Sequence, residues 1–354
     1  MIIQVGPYPP PYGGISVYIK RMKSCFDSKR IENQVWDTSG VEKTEKNVLK
    51  MRLRFAPFRY LVRRDIDLIH YHIPGIEAKN YIGFLNRLLF GNRKKILTIH
   101  GGGESLFDTN DKSMTKSLNS FDAIICVKPK GREYLLKQGI DSEIYEISAF
   151  IPPILSDEEI VEIPQRVWDF VRCHKPIISA NASAIRFYRN QDLYGIDMCV
   201  DLCAKSKNAF PEIGFVFCLP DIGDYGYFQR MKQRIVEKGV EDNFLLQTEP
   251  CEFYPILMKS DLFVRPTNRD GYSVSLAEAI YFRVPAVASD VCTRSEGTIL
   301  FKNRDTGDFA SKVEGVLDNY ESYKESLEAV DLEDNFEKIM EVYQKLGEQQ
   351  NIES

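Results

Sequence analysis

Two carboxylates, Asp270 and Glu278, flank a loop that follows one apolar run and opens a helical pattern. A carboxylate accepts two hydroxyl hydrogen bonds, which suits the vicinal hydroxyls of a sugar or a ribose. Backbone N–H groups at the start of a helix favour an anion such as a diphosphate. The segment therefore predicts a site for a phosphorylated, hydroxyl-rich ligand. The loop residues whose N–H groups would face that ligand are Gly271, Tyr272, Ser273 and Val274.

The same segment also has a purely structural interpretation. Ser275 and Glu278 have the spacing of a capping box that does no more than start the helix. Glu278 is then an ordinary helical residue. The residues alone leave both interpretations open.

A second candidate is the Pro- and Gly-rich loop after the first apolar run, where residues 6–16 read GPYPPPYGGIS. Gly13 and Gly14 would let backbone N–H groups approach a phosphate at the start of a helix. Ligands of open α/β sheets bind at the carboxyl ends of the strands, where this loop lies. A turn without a ligand is the alternative. Because Gly-x-Gly-x-x-Gly occurs nowhere in the chain, a dehydrogenase loses its main support.

A third candidate is His100, which ends another apolar run and precedes Gly101, Gly102 and Gly103. The glycines free the backbone to bend, and the histidine would project into the same crevice. A turn with an incidental histidine is the alternative. His70 and His72 end a neighbouring run and are weaker candidates.

The elements that must position these residues alternate between short apolar runs and helical patterns, which indicates parallel sheets covered by helices. The predicted strands are Ile2–Val5, Gln34–Asp37, Leu68–Tyr71, Ile96–His100, Ala123–Val127, Glu143–Ile147, Pro176–Ala180, Gly214–Leu219, Phe244–Gln247, Leu262–Arg265 and Ala286–Ser289. The predicted helices are Ser16–Phe26, Glu77–Phe90, Lys130–Lys137, Gly195–Ser206, Tyr227–Lys238, Phe253–Lys259 and Val274–Phe282.

The length of 354 residues suits two domains. Proline continues neither a strand ladder nor a helix, so Pro152-Pro153 predicts the boundary. The predicted domains are 1–152 and 153–333, followed by a helix within 334–354 that has one apolar face.

Composition narrows the class of protein. Hydrophobic residues make up 44% and charged residues 27%, the balance of a soluble globular protein. No apolar run reaches the ~18 residues of a membrane span, and the first residues do not have the pattern of a secretory signal. These observations predict a cytoplasmic protein. The eight cysteines lack Cys-x-x-Cys spacing and only four histidines are present, which favours reduced core thiols and no metal.

The net charge of -5 is unevenly distributed. Residues 1–150 hold 24 Lys and Arg against 16 Asp and Glu, a net charge of +8. The remaining residues hold 22 against 35, a net charge of -13. A basic half suggests that one domain meets something anionic.

These segments together resemble the retaining, metal-independent glycosyltransferases of the GT-B fold (glycosyl transferases group 1), which include bacterial mannosyl- and N-acetylglucosaminyltransferases. That family carries Glu, seven residues and Glu, followed by a Gly-x-Pro-Val-Val-Ala-type strand. Here the pattern stands as Asp270, seven residues and Glu278, followed by Val284-Pro285-Ala286-Val287-Ala288. The resemblance runs over nearly the whole chain. It implies an α/β protein with two Rossmann-like β/α/β domains that face across a cleft, and it implies neither a cofactor nor a metal.

The resemblance also implies roles for individual residues. Asp270 and His100 would contact the transferred sugar, Glu278 the ribose hydroxyls and Gly14 the diphosphate. The helix within 334–354 would pack back on the N-terminal domain. The sequence departs from the family in having Asp in place of the first Glu, which shortens that side chain by one methylene.

A further departure concerns the cations that meet the diphosphate. After the first strand of the second domain, the family has an Arg and then the pair Lys-Gly. This chain has Tyr194-Gly195 at the position of that pair. A phenol donates a hydrogen bond but carries no positive charge. Arg186 or Arg189 must then meet the diphosphate, and Arg186 is preferred. Arginines that only face solvent are the alternative.

The expected reaction moves a sugar from a nucleoside diphosphate sugar, UDP-linked, to an acceptor hydroxyl in surface polysaccharide or glycolipid biosynthesis. Two rivals stay open: a nucleotide-sugar epimerase and a non-catalytic protein that binds nucleotide sugars. Nucleic acid is not an expected partner, because no recognised binding module accompanies the basic residues.

The basic stretch 43–64 suggests where the acceptor lies. It holds eight bases against one acid, with aromatic and leucine residues interleaved. Such a stretch suits an anionic membrane surface, which would place the protein on the inner face of the membrane with a sugar or lipid-linked sugar as acceptor. A solvated helix with its apolar side in the core is the alternative. The eight bases are Lys43, Lys46, Lys50, Arg52, Arg54, Arg59, Arg63 and Arg64.

Overall fold

The computed structural model describes residues 1–89, 93–101, 112–128, 130–271, 273–330 and 332–352. Of the predicted site residues, Tyr272 lies outside the described residues, as do Gly102 and Gly103. The chain divides into two compact units. Unit 1 comprises Met1–Ile154 and Asp334–Ser354, and unit 2 comprises Leu155–Glu333.

Unit 1 is built on a parallel sheet of seven strands in the order β3-β2-β1-β4-β5-β6-β7. Its strands are β1 (Ile2–Gly6), β2 (Asn33–Asp37), β3 (Val48–Lys50), β4 (Leu68–Tyr71), β5 (Lys94–Ile99), β6 (Ala123–Cys126) and β7 (Glu143–Glu146). The central strands are buried along almost their whole length, so their sequences are continuous apolar runs rather than alternating patterns.

Helices cover this sheet. They are α1 (Gly14–Ser28), α2 (Ala56–Val62), α3 (Ile76–Leu89), α4 (Lys112–Leu118), α5 (Gly131–Lys137) and α14 (Asn335–Ile352). The apolar face of α14 is buried within unit 1, where the ring of Phe336 lies 5.3 Å from that of Phe26 on α1. Tyr343, two turns further along α14, reaches the sheet itself and contacts His70.

Unit 2 repeats the design with six parallel strands in the order β12-β11-β8-β13-β14-β15. The strands are β8 (Ile177–Asn181), β11 (Gly214–Cys218), β12 (Phe244–Gln247), β13 (Leu262–Arg265), β14 (Ala286–Ser289) and β15 (Ile299–Phe301). A separate two-stranded hairpin pairs β9 (Phe187–Tyr188) with β10 (Gln191–Asp192). The helices are α6 (Asp157–Val161), α7 (Gln165–Cys173), α8 (Ile196–Ser206), α9 (Tyr225–Glu237), α10 (Tyr254–Leu257), α11 (Val274–Tyr281), α12 (Thr306–Asp318) and α13 (Tyr320–Ser326).

Both sheets have the strand order of a doubly wound Rossmann sheet, in which the direction of winding reverses beside the first strand. In unit 1 the reversal lies between β1 and β4, and in unit 2 it lies between β8 and β13. Ligands of such sheets bind outside the carboxyl ends of these strands. The residues at the ends of β8 and β13 are therefore the first place to look for a site in unit 2.

The predicted α/β class with two parallel sheets is confirmed, and the predicted strands are all present with ends shifted by at most two residues. The sequence missed β3, β15 and the hairpin, all of which are only two or three residues long. It also missed α6 and α7 in the segment after the double proline, and α4, α12 and α13 elsewhere. A strand of three residues contains too few positions for any periodicity to be read.

Candidate functional site

The carboxyl ends of β8 and β13 are tied together by Arg265. Its Nη1 atom donates to the backbone carbonyl oxygen of Asn181 at 3.1 Å and to the side-chain Oδ1 atom of Asn181 at 3.0 Å. The amide nitrogen of Asn181 in turn donates to the Oγ atom of Ser275 at 2.8 Å. These contacts join both sides of the winding reversal to the first turn of α11, and they form the floor of the site.

Asp270 lies at the centre of this floor, and its side chain is 11% exposed. Its Oδ2 atom accepts from Arg265 Nε at 3.1 Å, from Arg294 Nη1 at 2.7 Å and from the hydroxyl of Thr267 at 3.3 Å. Its Oδ1 atom accepts only the N–H of Gly271 among the described residues, at 2.9 Å. Burial opposes ionisation, but the two guanidiniums outweigh it and hold the pKa of Asp270 well below its usual range. Oδ1 therefore keeps the capacity to accept a ligand hydroxyl.

Arg294 is almost enclosed, with 2% of its side chain exposed. Besides Asp270, its guanidinium donates to the carbonyl oxygen of Ser289 at 3.0 Å, to the hydroxyl of Ser289 at 3.0 Å and to the hydroxyl of Thr267 at 3.2 Å. All three nitrogen atoms of the guanidinium therefore donate hydrogen bonds within the protein, and Arg294 holds the loop around Asp270 in place. Sequence reasoning missed both Arg265 and Arg294, since neither belongs to a spacing pattern.

Glu278 lies on α11 and is 3% exposed, so it is a buried carboxylate rather than an ordinary residue of a solvated face. The capping-box alternative is wrong, because the N-cap of α11 is Ser273 and its side chain makes no capping hydrogen bond. Ser275 is already inside the helix, and its hydroxyl accepts from Asn181. The hydroxyl of Ser273 is buried and has no partner among the described residues. Val274 is the first residue of α11.

The two candidate arginines lie on either side of β9, the first strand of the short hairpin. Arg189 and Asn190 both have positive φ, 51° and 60°, and form its two-residue turn. The guanidinium of Arg189 lies 5.3 Å from the ring centroid of Tyr188, and that of Arg269 lies 5.0 Å from the same ring. The side chain of Arg186 is exposed, and its carbonyl oxygen accepts the N–H of Leu193. Both arginines are therefore available to a ligand.

Tyr194 is half-buried, and its hydroxyl lies 3.1 Å from the Oγ atom of Ser183. The guanidinium of Arg265 lies 5.4 Å from the centroid of its ring, a cation–π contact. Gly195, which follows, has a φ of +70°, and a Cβ atom there would lie 2.6 Å from the carbonyl oxygen of Pro266. The glycine is required by the fold, whatever binds nearby.

The N-terminus of α8 is already occupied by a carboxylate of the chain. Asp192 accepts from the backbone N–H groups of Tyr194 at 3.0 Å and of Ile196 at 2.7 Å. Burial raises the pKa of Asp192, although these hydrogen bonds act in the opposite direction. Because an anion of the protein caps this helix, a ligand phosphate does not have to.

In unit 1 the glycine-rich loop leads into α1, whose N-cap is Gly13. Gly13 is extended, with a φ of -168°, and a Cβ atom on Gly13 or Gly14 would meet no described residue within 4 Å. Neither the backbone conformation nor packing against the described residues therefore calls for glycine at these two positions. The space left beside them suits the close approach of a group outside the chain.

His100 belongs to a buried cluster at the carboxyl ends of β4 and β5. Its Nε2 atom lies 3.1 Å from Nδ1 of His72, and the ring of Tyr18 lies 4.9 Å away. His70, in the same cluster, is hydrogen-bonded to Tyr343 and Thr98, each at 2.6 Å. Burial lowers the pKa of both His70 and His100 to about 3, and the nearby charge of Lys79 contributes at His100. These imidazoles are neutral at pH 7, so they act through hydrogen bonds and not through charge.

The basic stretch 43–64 is not one helix. It contains β3, a single 3-10 turn (Leu53–Phe55) and α2. Three of its eight bases are partly buried against partners, because Lys43 lies beside Asp37, the guanidinium of Arg59 lies over the ring of Trp36, and Arg63 pairs with Asp65. The five bases that remain exposed are Lys46, Lys50, Arg52, Arg54 and Arg64.

Large apolar side chains of α2 and α3 are exposed as well. Phe58, Leu61 and Val62 of α2 are 45%, 44% and 77% exposed, and Phe84 and Leu88 of the neighbouring α3 are 49% and 64% exposed. The alternative in which the apolar side of this stretch belongs to the core fits Ala56 and Tyr60, which are fully buried. It does not fit Phe58, Leu61 and Val62.

Comparison with known proteins gives a family match over part of the chain. Residues 186–319 match the family model described as Glycosyl transferases group 1. This segment begins at Arg186 and includes Asp270 and Glu278. No curated protein matches the chain by sequence.

Solved structures share the fold over nearly the full length. HepE from Anabaena, in complex with UDP and glucose, is 13% identical with a TM-score of 0.68, and the superposition covers 98% of this chain and 100% of that one. Sucrose-phosphate synthase from Thermosynechococcus elongatus is 14% identical with a TM-score of 0.66, covering 98% and 99%. A glycosyltransferase from Rickettsia africae ESF-5 is 14% identical with a TM-score of 0.67, covering 98% of each chain.

At these identities the likeness shows the fold, which is the GT-B fold that the sequence predicts. The family match over residues 186–319 supports the class of glycosyltransferases. In the part of the chain that the structure describes, no group of three His, Cys, Asp or Glu residues is arranged to hold a metal ion. Among the same residues, no helix has both the length and the apolar character to cross a membrane.

Proposed function

We propose that this protein is a retaining hexosyltransferase that moves a sugar from a UDP-sugar to an acceptor hydroxyl in surface polysaccharide or glycolipid biosynthesis. The observation that carries the proposal is the site at the winding reversal of unit 2. There Glu278 is buried, and Asp270 is paired with the guanidiniums of Arg265 and Arg294. Both carboxylates lie within the segment that matches the glycosyltransferase family. A carboxylate that recognises ribose and a second that recognises the sugar are the two acceptors such a donor needs.

Each predicted residue has a part in this proposal. Glu278 accepts from the ribose hydroxyls, and Asp270 accepts from a sugar hydroxyl through its free Oδ1 position. The N–H groups of Ser273 and Val274 at the start of α11 face the diphosphate, whereas the N–H group of Gly271 holds Oδ1 of Asp270. Tyr272, the fourth residue predicted to face the diphosphate, lies outside the described residues. In unit 1, Gly13 and Gly14 permit close approach to the diphosphate, and His100 contacts the transferred sugar as a neutral hydrogen-bonding group. No metal or cofactor is required.

The chemistry is displacement at the anomeric carbon. Its bond to the β-phosphate oxygen breaks, and both electrons stay on that oxygen. The acceptor oxygen forms the new bond and releases its proton, which the departing diphosphate can accept. The barrier lies largely in the charge that develops on the diphosphate, so hydrogen-bond donors and cations aimed at that charge accelerate the step. In this proposal the exposed Arg186 and Arg189 contribute from the rim of the site, and Tyr194 donates a neutral hydrogen bond.

We further propose that unit 1 rests on an anionic membrane and takes a lipid-linked sugar as acceptor. The exposed bases of the stretch 43–64 support this placement, and so do the exposed apolar side chains of α2 and α3. Each base near an anionic surface contributes about 1 kcal/mol, and the apolar side chains add shallow insertion. The association would be reversible and salt-sensitive, on the inner face of the membrane.

Titration calorimetry with UDP, GDP and ADP, followed by assays of hydrolysis with the corresponding nucleotide sugars, tests the proposal. The expected result is micromolar binding of UDP and slow release of UDP from one UDP-sugar. A protein that binds none of these nucleotides would overturn it. Alanine at Arg186 should lower turnover more than affinity, because stabilisation that grows as the diphosphate departs acts on the transition state. A larger loss with alanine at Arg189 would reverse the order of the two arginines.

A further inference from the structure

The structure offers a cation for the position at which Tyr194 leaves a positive charge missing. Arg265 ends β13 at the winding reversal, where ligands of doubly wound sheets bind. Its guanidinium lies over the ring of Tyr194, 5.4 Å from the centroid. The charge of Arg265 therefore lies close to the side chain that stands where the family has a lysine.

The hydrogen bonds of Arg265 leave one part of its guanidinium unused. Nε donates to Asp270, and Nη1 donates to the backbone and side-chain oxygens of Asn181. In the described part of the chain, Nη2 has no acceptor, and 12% of the side chain remains exposed. Nη2 therefore keeps two N–H donors for a ligand. Arg294 differs in this respect, because all of its nitrogens are bonded within the protein.

The local charge balance favours an anionic ligand. Two guanidiniums, Arg265 and Arg294, share the single carboxylate of Asp270, so these three side chains together carry one net positive charge. All three side chains are at most 12% exposed, so water screens their charges poorly. An anion that approaches Nη2 of Arg265 is therefore attracted more strongly than it would be in water. A nucleoside diphosphate bound at the carboxyl ends of β8 and β13 would bring such a negative charge.

We propose that Arg265 donates through Nη2 to the β-phosphate of the donor and replaces the charge of the absent lysine, with Asp270 and Asn181 holding its guanidinium in place. This assignment rests on the proposed function and adds to it a residue that no sequence pattern marks. Arg186 and Arg189 then serve the rim of the site, while Arg265 serves its floor. As the bond to the sugar breaks, the charge that gathers on the β-phosphate oxygen lies nearest to Nη2.

The test compares UDP with UMP, which lacks the β-phosphate. Calorimetry on the full chain should show that the Arg265→Gln variant loses roughly 10- to 100-fold in UDP affinity, the range expected for a charged hydrogen bond, while UMP affinity changes little. Adding Tyr194→Lys to that variant should restore most of the preference for UDP. A merely structural role would weaken UDP and UMP equally, and lysine at position 194 would not rescue it.

Two further variants keep the test decisive. Arg304→Gln removes a half-buried guanidinium that pairs with Asp197 elsewhere in unit 2, and it should leave the ratio of UMP to UDP affinity at the wild-type value. Arg265→Lys keeps the charge if the glutamine variant fails to fold, and it should retain part of the preference for UDP.

The outcomes separate this inference from the proposed function. If the wild-type protein binds UDP but Arg265→Gln has the same UMP-to-UDP ratio, the assignment of Arg265 is wrong and the proposed function stands. The same conclusion follows if glutamine at Arg186 or Arg189 removes the whole preference. If the wild-type protein binds no nucleoside diphosphate, both the assignment of Arg265 and the proposed function are wrong.

Discussion

The Nδ1 atom of His72 lies 3.1 Å from the Nε2 atom of His100, so one of the two buried imidazoles donates a hydrogen bond to the other. The second ring nitrogen of His72, Nε2, is buried with no partner among the described residues. An unpaired buried N–H group costs more than an unpaired lone pair. The proton of His72 therefore lies on Nδ1, and His100 accepts at Nε2 and carries its own proton on Nδ1.

This arrangement predicts the tautomers of both rings. Nitrogen NMR of the histidine side chains at pH 7 should show both His72 and His100 as neutral Nδ1–H forms. A His72→Ala variant should return His100 to the Nε2–H form that free imidazoles prefer. A spectrum with His100 protonated on Nε2 in the wild-type protein would contradict the prediction.

The low pKa values of the cluster predict how stability depends on pH. A histidine in the unfolded chain takes up a proton below about pH 6.5. His70 and His100 in the folded chain do so only near a pKa of about 3. Between these values the unfolded state binds more protons, so the free energy of unfolding falls as pH falls.

The His70→Gln variant measures the size of this effect. Between pH 7 and pH 5, wild-type protein should lose about 2 kcal/mol more unfolding free energy than the variant, since each pH unit below the ordinary pKa costs about 1.4 kcal/mol per histidine. Urea unfolding at the two pH values supplies the numbers. Parallel losses in the two proteins would show that His70 is not held neutral.

Glu278 should matter for the nucleotide and not for the fold. We expect the Glu278→Ala variant to lose roughly tenfold or more in UDP affinity, because two hydrogen bonds from ribose hydroxyls to a carboxylate are lost. The Glu278→Gln variant, which keeps the shape and half the acceptors, should lose less. Unchanged affinity in a folded alanine variant would indicate that the carboxylate serves only the interior of unit 2.

Two glycines predict opposite results when changed to alanine. Gly195→Ala should destabilise unit 2 by about 2 to 4 kcal/mol, because the positive φ is strained for alanine and the new methyl meets Pro266. Gly14→Ala should change stability by less than about 0.5 kcal/mol, because its Cβ atom would contact none of the described residues. It should nevertheless weaken nucleotide-sugar binding. A Gly14→Ala variant with full affinity would remove this loop from the site.

The membrane proposal predicts binding to vesicles of anionic lipid at low salt, weaker binding at high salt, and none to neutral lipid. The Phe58→Ser/Leu61→Ser variant should sediment less with anionic vesicles, because both side chains are exposed on α2. Val161→Ser, which removes an exposed apolar side chain of unit 2, is the matched control and should bind as wild type does. Equal binding to both lipids would rule out the electrostatic part of the proposal.

Sequence periodicity predicted most of the sheet, because the strands are buried and their apolar runs are continuous. The segment from Asp270 to Glu278 could be named as a candidate from sequence alone, since its residues are neighbours along the chain. The partners of Asp270 were not found. Arg294 lies 24 residues away and meets Asp270 only when β14 and the loop after it are folded, and an arginine buried by tertiary contacts carries no local signature.

The stretch 43–64 shows the converse error. Its composition indicated a basic surface with apolar side chains. In the structure, however, three of its bases are partly buried against partners. Lys43 meets Asp37 across a loop, and Arg59 covers Trp36. Charge counted along a sequence overstates the charge that a folded surface presents, because long basic side chains also pack over apolar groups.

Incubation of the wild-type protein with a labelled UDP-sugar and membranes that contain acceptor separates sugar transfer from the rival functions. Transfer moves the label into the lipid or saccharide fraction and releases UDP in an equal molar amount. An epimerase would return a changed UDP-sugar without UDP, and a non-catalytic binding protein would return the donor unchanged. Either of those results would contradict transfer.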